Sequence, residues 1–142
     1  NMINKELQKR ILSSIILLPV SPDTSALRLR KYFKKRCGIS IGVIISDSMN
    51  RPWRMGSVGE TIGSSGLAVL DDRRGETDMY GRELKITLIN QADALSSIAT
   101  LVMGETSEAT PVVLIKGLNQ KMNSSQTASD IIRPREDDLF CD

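Results

Sequence analysis

The sequence predicts an α+β domain, a mixed sheet with flanking helices. Three observations carry that prediction. Short apolar, β-branched runs at 39–46 and 111–116 suit buried strands. Two longer stretches, 24–37 and 91–103, repeat apolar residues at helical spacing, and a glycine follows each. Between them lies a glycine-dense segment, 47–81, with six of the chain's ten glycines. The resulting order of strand, helix, strand, glycine loop, strand, helix and strand mixes both element types in one chain.

Residues 2–15 carry a mixed pattern compatible with a helix. Residues 15–20 read as a short buried strand, stopped by Pro19, Ser21 and Pro22. Asp23 suits the N-cap of a helix over 24–37, and Gly38 suits its left-handed stop. Ala26, Leu29, Phe33 and Cys37 share one face of that helix. ISIGVIIS at 39–46 is the next buried strand. The stretch 47–81 reads as loop-rich, with one short strand at 67–70. Its apolar residues Trp53, Ile62, Leu67, Val69 and Leu70 argue that it is ordered. ELKITLIN at 83–90 alternates like a strand. The helix over 91–103 places Leu95, Ile98, Ala99 and Val102 on one face, and PVVLIK at 111–116 is another buried strand. Residues 118–130 are polar and expected to be loose, while the tail brings back Ile131, Ile132, Leu139 and Phe140. No internal repeat is visible.

A chain of 142 residues suits one domain and can bury a core without disulfides or a structural metal. Aromatics are 4% against 40% hydrophobic residues, so the core must be aliphatic. The chain has no histidine. That excludes Ser-His-Asp and Cys-His nucleophile systems and His-ligated zinc within it. Cys37 and Cys141 alone cannot build a four-cysteine centre. A bound metal would therefore be held mainly by oxygen, which favours Mg²⁺, Mn²⁺ or Ca²⁺. Nineteen basic and 17 acidic residues leave a net charge of +2, with no global pull toward nucleic acid or a membrane. Two distant cysteines fit a reduced, cytoplasmic setting better than a secreted disulfide framework. The apolar run at 11–20, broken by Ser13 and Ser14, is shorter than the ~20 residues that cross a bilayer. An opening Asn1, with no small-residue cleavage pattern, is expected of a chain that starts partway through a longer one.

Four constellations could carry chemistry. In IISDSMNRPWRMG, 44–56, a buried strand ends in Ser46, Asp47 and Ser48. A rigidly held carboxylate beside a hydroxyl makes a hard-cation site, and the following Arg51 and Arg54 suit phosphate or carboxylate. The plainer alternative is a capping Asp47 with solvated arginines. In the stretch 62–81, Gly63-Ser64-Ser65-Gly66 has a phosphate-loop look but lacks the lysine and spacing of one. Asp71, Asp72, Glu76 and Asp78, with Arg73 and Arg74 among them, are either a site or a turn closed by local ion pairs. After the second helix, Gly104, Glu105, Thr106, Ser107 and Glu108 are either a helix stop with a polar loop or a nucleotide or metal contact. RLRKYFKKR at 28–36 invites an RNA-binding reading, but Phe33 and Leu29 share the apolar face, so the basic residues are expected on the solvated one.

Taken in order, these strings resemble one family. SDS-x-x-RPWR at 46–54, LDDRRG-x-x-D-x-x-G at 70–81, QADALSSIATLVMGETSEATPVVLIKG at 91–117 and RPREDDLF at 133–140 look like the coenzyme F420-0:L-glutamate ligase (gamma-glutamyl ligase) family. On this resemblance, 1–117 is the C-terminal part of the ligase domain, without its N-terminal half, and 118–142 is a polar linker and tail. The resemblance implies a GTP-dependent, metal-requiring amide ligase. Its partners are GTP, L-glutamate and the F420 precursor, with two divalent cations, Mg²⁺ or Mn²⁺, and K⁺. It implies an intertwined homodimer, with no nucleic-acid or membrane partner.

Carried over by position, the resemblance makes Asp47 and Ser48 metal ligands, Ser48 standing where the family usually has Thr. Glu105 stands where some members have a metal-binding Gln. Met103, Gly104, Glu105, Thr106, Ser107, Glu108, Ala109 and Thr110 match the nucleotide segment. Asn1 matches the last residue of an Asp-x-Ser-Asn motif that contacts GTP. Arg51 and Arg54 become phosphate or substrate clamps, while Asp71, Asp72, Arg73 and Asp78 become substrate-side or dimer candidates. The alternatives are another nucleotide-dependent carboxylate–amine ligase, or a nucleic-acid-binding module on 28–36.

Overall fold

A computed structural model describes residues 17–118 and 124–138. The helix expected over 2–15, Asn1 and the tail residues Leu139 and Phe140 lie outside these. Helix α1 (Pro22–Cys37) is followed by strands β1 (Val43–Asn50), β2 (Ser57–Ser65), β3 (Leu70–Asp72) and β4 (Leu88–Asn90). Helix α2 (Gln91–Met103) comes next, then 3₁₀ turns at Ala128–Ile131 and Arg135–Asp137. The class is α+β, as expected. A mixed sheet is not formed: the described strands make two separate antiparallel pairs, β1 with β2 and β3 with β4.

Helix α1 starts on Pro22, which needs no amide partner in the first turn. Gly38 stops it at φ 71, its N–H returning to the Lys34 carbonyl. Residues 17–20, expected in a buried strand, are neither strand nor buried. Asp23 is not the N-cap either. Ser21 holds that position, and the Asp23 carboxylate reaches outward from the first turn. Its Oδ1 accepts from the amides of Ser64 at 2.8 Å and Ala128 at 3.0 Å, and its Oδ2 from the Ser129 hydroxyl at 3.2 Å. One side chain thus staples α1 to β2 and to the tail. Of the expected apolar face only Ala26 is buried; Leu29 and Cys37 are exposed. Arg30 takes an inward position instead, donating from Nε to the Ile41 carbonyl at 3.2 Å.

The strand expected at 39–46 forms four residues later, because its partner sets its limits. β2 runs antiparallel to β1, from Val43 opposite Ser65 to Asn50 opposite Ser57. β2 itself lies where the sequence reads as loop. Its glycines lower strand propensity, which hid it, but they serve helix packing. A side chain on Gly59 would run into Thr100 Oγ1 and the Ser96 carbonyl of α2, and one on Gly63 into Pro22 of α1. α2 therefore sits close enough to β2 for hydroxyl contacts. Ser97 Oγ donates to the Gly59 carbonyl at 2.9 Å, and Thr61 Oγ1 and Ser96 Oγ lie 2.8 Å apart. A bulge between Ile45 and Ser46 interrupts the register just before Asp47.

The strand expected at 67–70 is displaced to 70–72, β3, and the one expected at 83–90 shrinks to three residues, β4. Leu67 and Val69 are buried, but the Val69 carbonyl caps α2 by accepting from Gln91 and Ala92 at 3.0 and 3.2 Å. α2 has the expected limits, with Asn90 as its N-cap. Its buried residues are Ala92, Leu95 and Ser96; Ile98 and Val102 are exposed. The buried face turned because the glycine-lined strand admits small and polar residues. Residues 111–116 form no strand. Val113 and Ile115 are half-buried while Val112 and Leu114 are exposed, a strand's alternation without a partner among the described residues. The tail at 124–130 is not loose: Gln126 Oε1 accepts from the amides of Val69 at 2.9 Å and Leu70 at 3.3 Å, and Ala128 is buried. The buried hydrophobic set of Ala26, Leu67, Ala68, Val69, Ala92, Leu95 and Ala128 is aliphatic, as composition requires.

Candidate active site

β1, the end of α2 and the segment after it enclose an open cleft of about 540 Å³. It is lined by Ser46, Asp47 and Ser48 from β1, Thr100 and Met103 from α2, and Gly104, Glu105, Thr106, Glu108, Ala109, Thr110 and Pro111. The residues expected to bind metal and nucleotide thus share one lining, apart from Ser107, which is not part of it, and Asn1. Thr100 and Pro111 were not singled out from the sequence as site residues. Thr100 could have been, since it stands four residues before Gly104, and its carbonyl accepts the Gly104 amide.

Strand alternation orders the β1 side. Ser46 faces Thr61 and Ser48 faces Gly59, on the side toward α2. Asp47 faces Glu60 across the strands, and its Oδ1 accepts from the Ser48 amide at 2.9 Å. Glu105 accepts the Ser57 hydroxyl at 2.8 Å. These donors are all oxygen, and a hard divalent cation fits them. Among the described residues no three His, Cys, Asp or Glu side chains gather.

The turn after α2 is organised around an anion. The Glu108 carboxylate folds back beside Gly104 and accepts from the Thr106 amide at 2.8 Å and the Thr106 hydroxyl at 3.1 Å. The Thr106 amide first, then the Glu108 amide and the Thr106 hydroxyl, hold its pKa below the usual value. One backbone amide and one hydroxyl, both from Thr106, thus hold this anion at the start of the turn.

The arginines stand elsewhere. Arg51 pairs with Glu60, Nε to Oε1 at 3.3 Å, and Arg54 is exposed at the β1–β2 tip; neither lines the cleft. Asp72 ends β3 and Arg73 opens the turn region after it, which is closed on itself. Arg74 binds Asp72, Arg73 bridges Asp71 at 2.6 Å and Glu76 at 3.0 Å, and Arg82 binds Asp78. The local ion-pair reading of this stretch describes its geometry. Arg74 donates to Asp72 from its side chain and its amide and draws that carboxyl from 3.8 to about 2. The folded value lies below the unfolded one. This pair's contribution is thus present above about pH 4 and lost as pH falls through about 2. We expect an NMR titration to place the Asp72 midpoint near 2, and Arg74→Ala to return it toward the ordinary carboxylate range. A midpoint unmoved by that substitution would refute the pairing.

Gly63 to Gly66 is not a phosphate loop here: all four residues are buried against α1. The basic helix is partly committed as well. Arg30 turns inward, Lys34 donates to Ser40 at 2.7 Å, and Phe33 is half-buried against the edge of Tyr32. Among the described residues, no helix is long and apolar enough to cross a membrane.

The cleft thus brings oxygen-bearing side chains of β1 together with the segment after α2. Residues 4–117 match the family described as F420-0:Gamma-glutamyl ligase, and the chain belongs to that family. It is 48% identical over 133 residues to the coenzyme F420:L-glutamate ligase of Methanocaldococcus jannaschii, covering 94% of this chain and 53% of that protein. The enzyme of the same name from Methanopyrus kandleri is 46% identical over 129 residues, covering 89% and 51%. That from Methanothermobacter thermautotrophicus is 41% identical over 124 residues, covering 87% and 49%. The chain thus spans about half the length of the curated relatives it matches.

Proposed function

We propose that this chain carries part of the active site of a GTP-dependent ligase that adds L-glutamate to coenzyme F420-0. The supporting observation is the cleft itself, where Asp47 and Ser48 share one lining with Glu105 and the segment after α2, whose Thr106 amide holds the Glu108 carboxylate. Amide formation from a carboxylate needs activation. An oxygen of the F420-0 carboxylate attacks the γ-phosphorus of GTP, and GDP departs with the electrons of the broken P–O bond. The glutamate amine then attacks the acyl phosphate, phosphate leaves, and the amine proton passes to solvent. Such transfer relies on positioning and charge neutralisation, so it needs no histidine.

Asp47, Ser48 and Glu105 would hold Mg²⁺ or Mn²⁺, one of two divalent ions used with K⁺, and a bound ion would neutralise phosphate charge. Met103 to Thr110 carry the nucleotide, with Asn1 contributing to it. Arg51 and Arg54 clamp phosphate or substrate, and Asp72 and Arg73 serve the substrate side or the dimer face. The protein works as an intertwined homodimer in the cytoplasm.

The test combines the purified protein with F420-0, L-glutamate, GTP and Mn²⁺, and follows the product by mass spectrometry. Glutamylated F420 is expected, with one GDP and one phosphate released per bond. Equal turnover with ATP overturns the nucleotide. Ligation to a different acid moves the chain to another carboxylate–amine ligase, and no product with any acid, even with the unmatched half of a curated relative supplied in trans, overturns the reading.

A further inference from the structure

The tip joining β1 to β2 holds a residue that the cleft chemistry does not use. Trp53 lies in the left-handed region at φ 64, with 95% of its surface exposed. A bulky L residue there is strained, and an indole left in water forgoes a large apolar gain. Among the described residues, only one other non-glycine residue shares that region: Ala109 at φ 52, which lines the cleft. Strained residues of this kind gather at ligand clamps.

The tip starts at the rim of the cleft. Asn50 pairs with Ser57, and Ser57 donates to Glu105. The Arg54 amide returns to the Arg51 carbonyl at 3.3 Å, closing a turn around Pro52 and Trp53. Arg51 is ion-paired with Glu60, whereas Arg54 is exposed and has no ion pair among the described residues. An exposed indole and an open guanidinium one residue apart suit a flat fused ring that carries phosphate.

We propose that Trp53 is a stacking platform for the fused ring of the acid substrate, with Arg54 on its phosphate. The proposal rests on the ligase reading above, in which that acid is F420-0, a fused-ring chromophore on a phosphodiester. GTP has a ring and phosphates too. In-line transfer puts the attacking acid and the departing nucleotide on opposite sides of the phosphorus. With the nucleotide over 103–110, the acid takes the side walled by the hairpin.

Trp53 is the one tryptophan in the sequence, so its emission reports this residue alone. Saturable quenching by F420-0 and none by GTP are expected. Trp53→Leu should raise Kd and KM for F420-0 by roughly 10-fold, the scale of a lost ring stack, with kcat nearly unchanged. Trp53→Phe should restore most of the loss. F420-0 affinity is read separately, from polarisation of its own chromophore. F420-0 that binds without quenching, and equally well to Trp53→Leu, overturns the platform and leaves the ligase reading standing. F420-0 that does not bind overturns both. Quenching by GTP instead moves guanine onto Trp53. A blue shift that grows with protein concentration and ignores both ligands assigns Trp53 to contact between copies; either result overturns the proposal.

Discussion

Asp47→Ala should lower glutamate addition by ~10²–10³-fold, the scale on which removal of one preorganised electrostatic group slows a reaction. Mn²⁺ binding, read by electron paramagnetic resonance, should weaken in parallel, and the melting temperature should hold. The last expectation follows from the surroundings of Asp47. Its carboxylate is half-buried and accepts the amide of exposed Ser48, so its removal leaves a donor that water can reach. Surface changes of this kind fall within about 0.5 kcal/mol. Asp47→Asn keeps the shape and loses the charge, and should be nearly as poor. Normal turnover in Asp47→Ala would remove Asp47 from the metal.

Gly59→Ala should be strongly destabilising for the addition of a single methyl group. The new Cβ would meet Thr100 Oγ1 and the Ser96 carbonyl and lie 2.7 Å from the Ser96 carbonyl carbon. The hydroxyl can rotate away, but the helix backbone can yield only if α2 lifts off β2. That lift breaks the Ser97–Gly59 and Thr61–Ser96 contacts together. Overpacking costs typically 1–3 kcal/mol, and with those contacts we expect about 3 kcal/mol and a melting temperature lower by on the order of 10 °C. Since α2 also carries Thr100 and Met103 into the cleft, nucleotide affinity should fall with stability. A Gly59→Ala protein that melts like the parent would show that the helix does not press on the strand.

Helices were the legible part of the fold, because a helix is written locally. α2 has the limits its apolar spacing and Gly104 suggest, and α1 ends where Gly38 demands. Strands were less legible because a partner decides them. β1 is displaced to the stretch that β2 pairs with, β2 hides behind glycines that exist for helix contact, and 111–116 keeps a strand's alternation with no described neighbour. In the site, Asp47, Ser48 and the segment from Gly104 were visible as chemistry, and they share one cleft, although Asp47 and Ser48 lie inside β1 rather than at the strand end expected. Glu60 was not visible, because only the register of β1 against β2 sets it opposite Asp47. The acid–arginine run after β3 was readable as residues but not as pairings, which the turns around Gly75 and Gly81 decide.

The staple described for Asp23 also bears on how the chain becomes folded. Its bond to Ala128 joins residues 105 apart, and the Gln126 bond to Val69 joins residues 57 apart. Closing loops of that size costs entropy before any contact returns it. During synthesis, α1 and the β1–β2 hairpin leave the ribosome with the Asp23 carboxylate short of one of its amides and the start of β3 without its glutamine. The core can be completed only when 124–131 has emerged. Nearly the whole described chain must therefore be present before its earliest helix is locked in place.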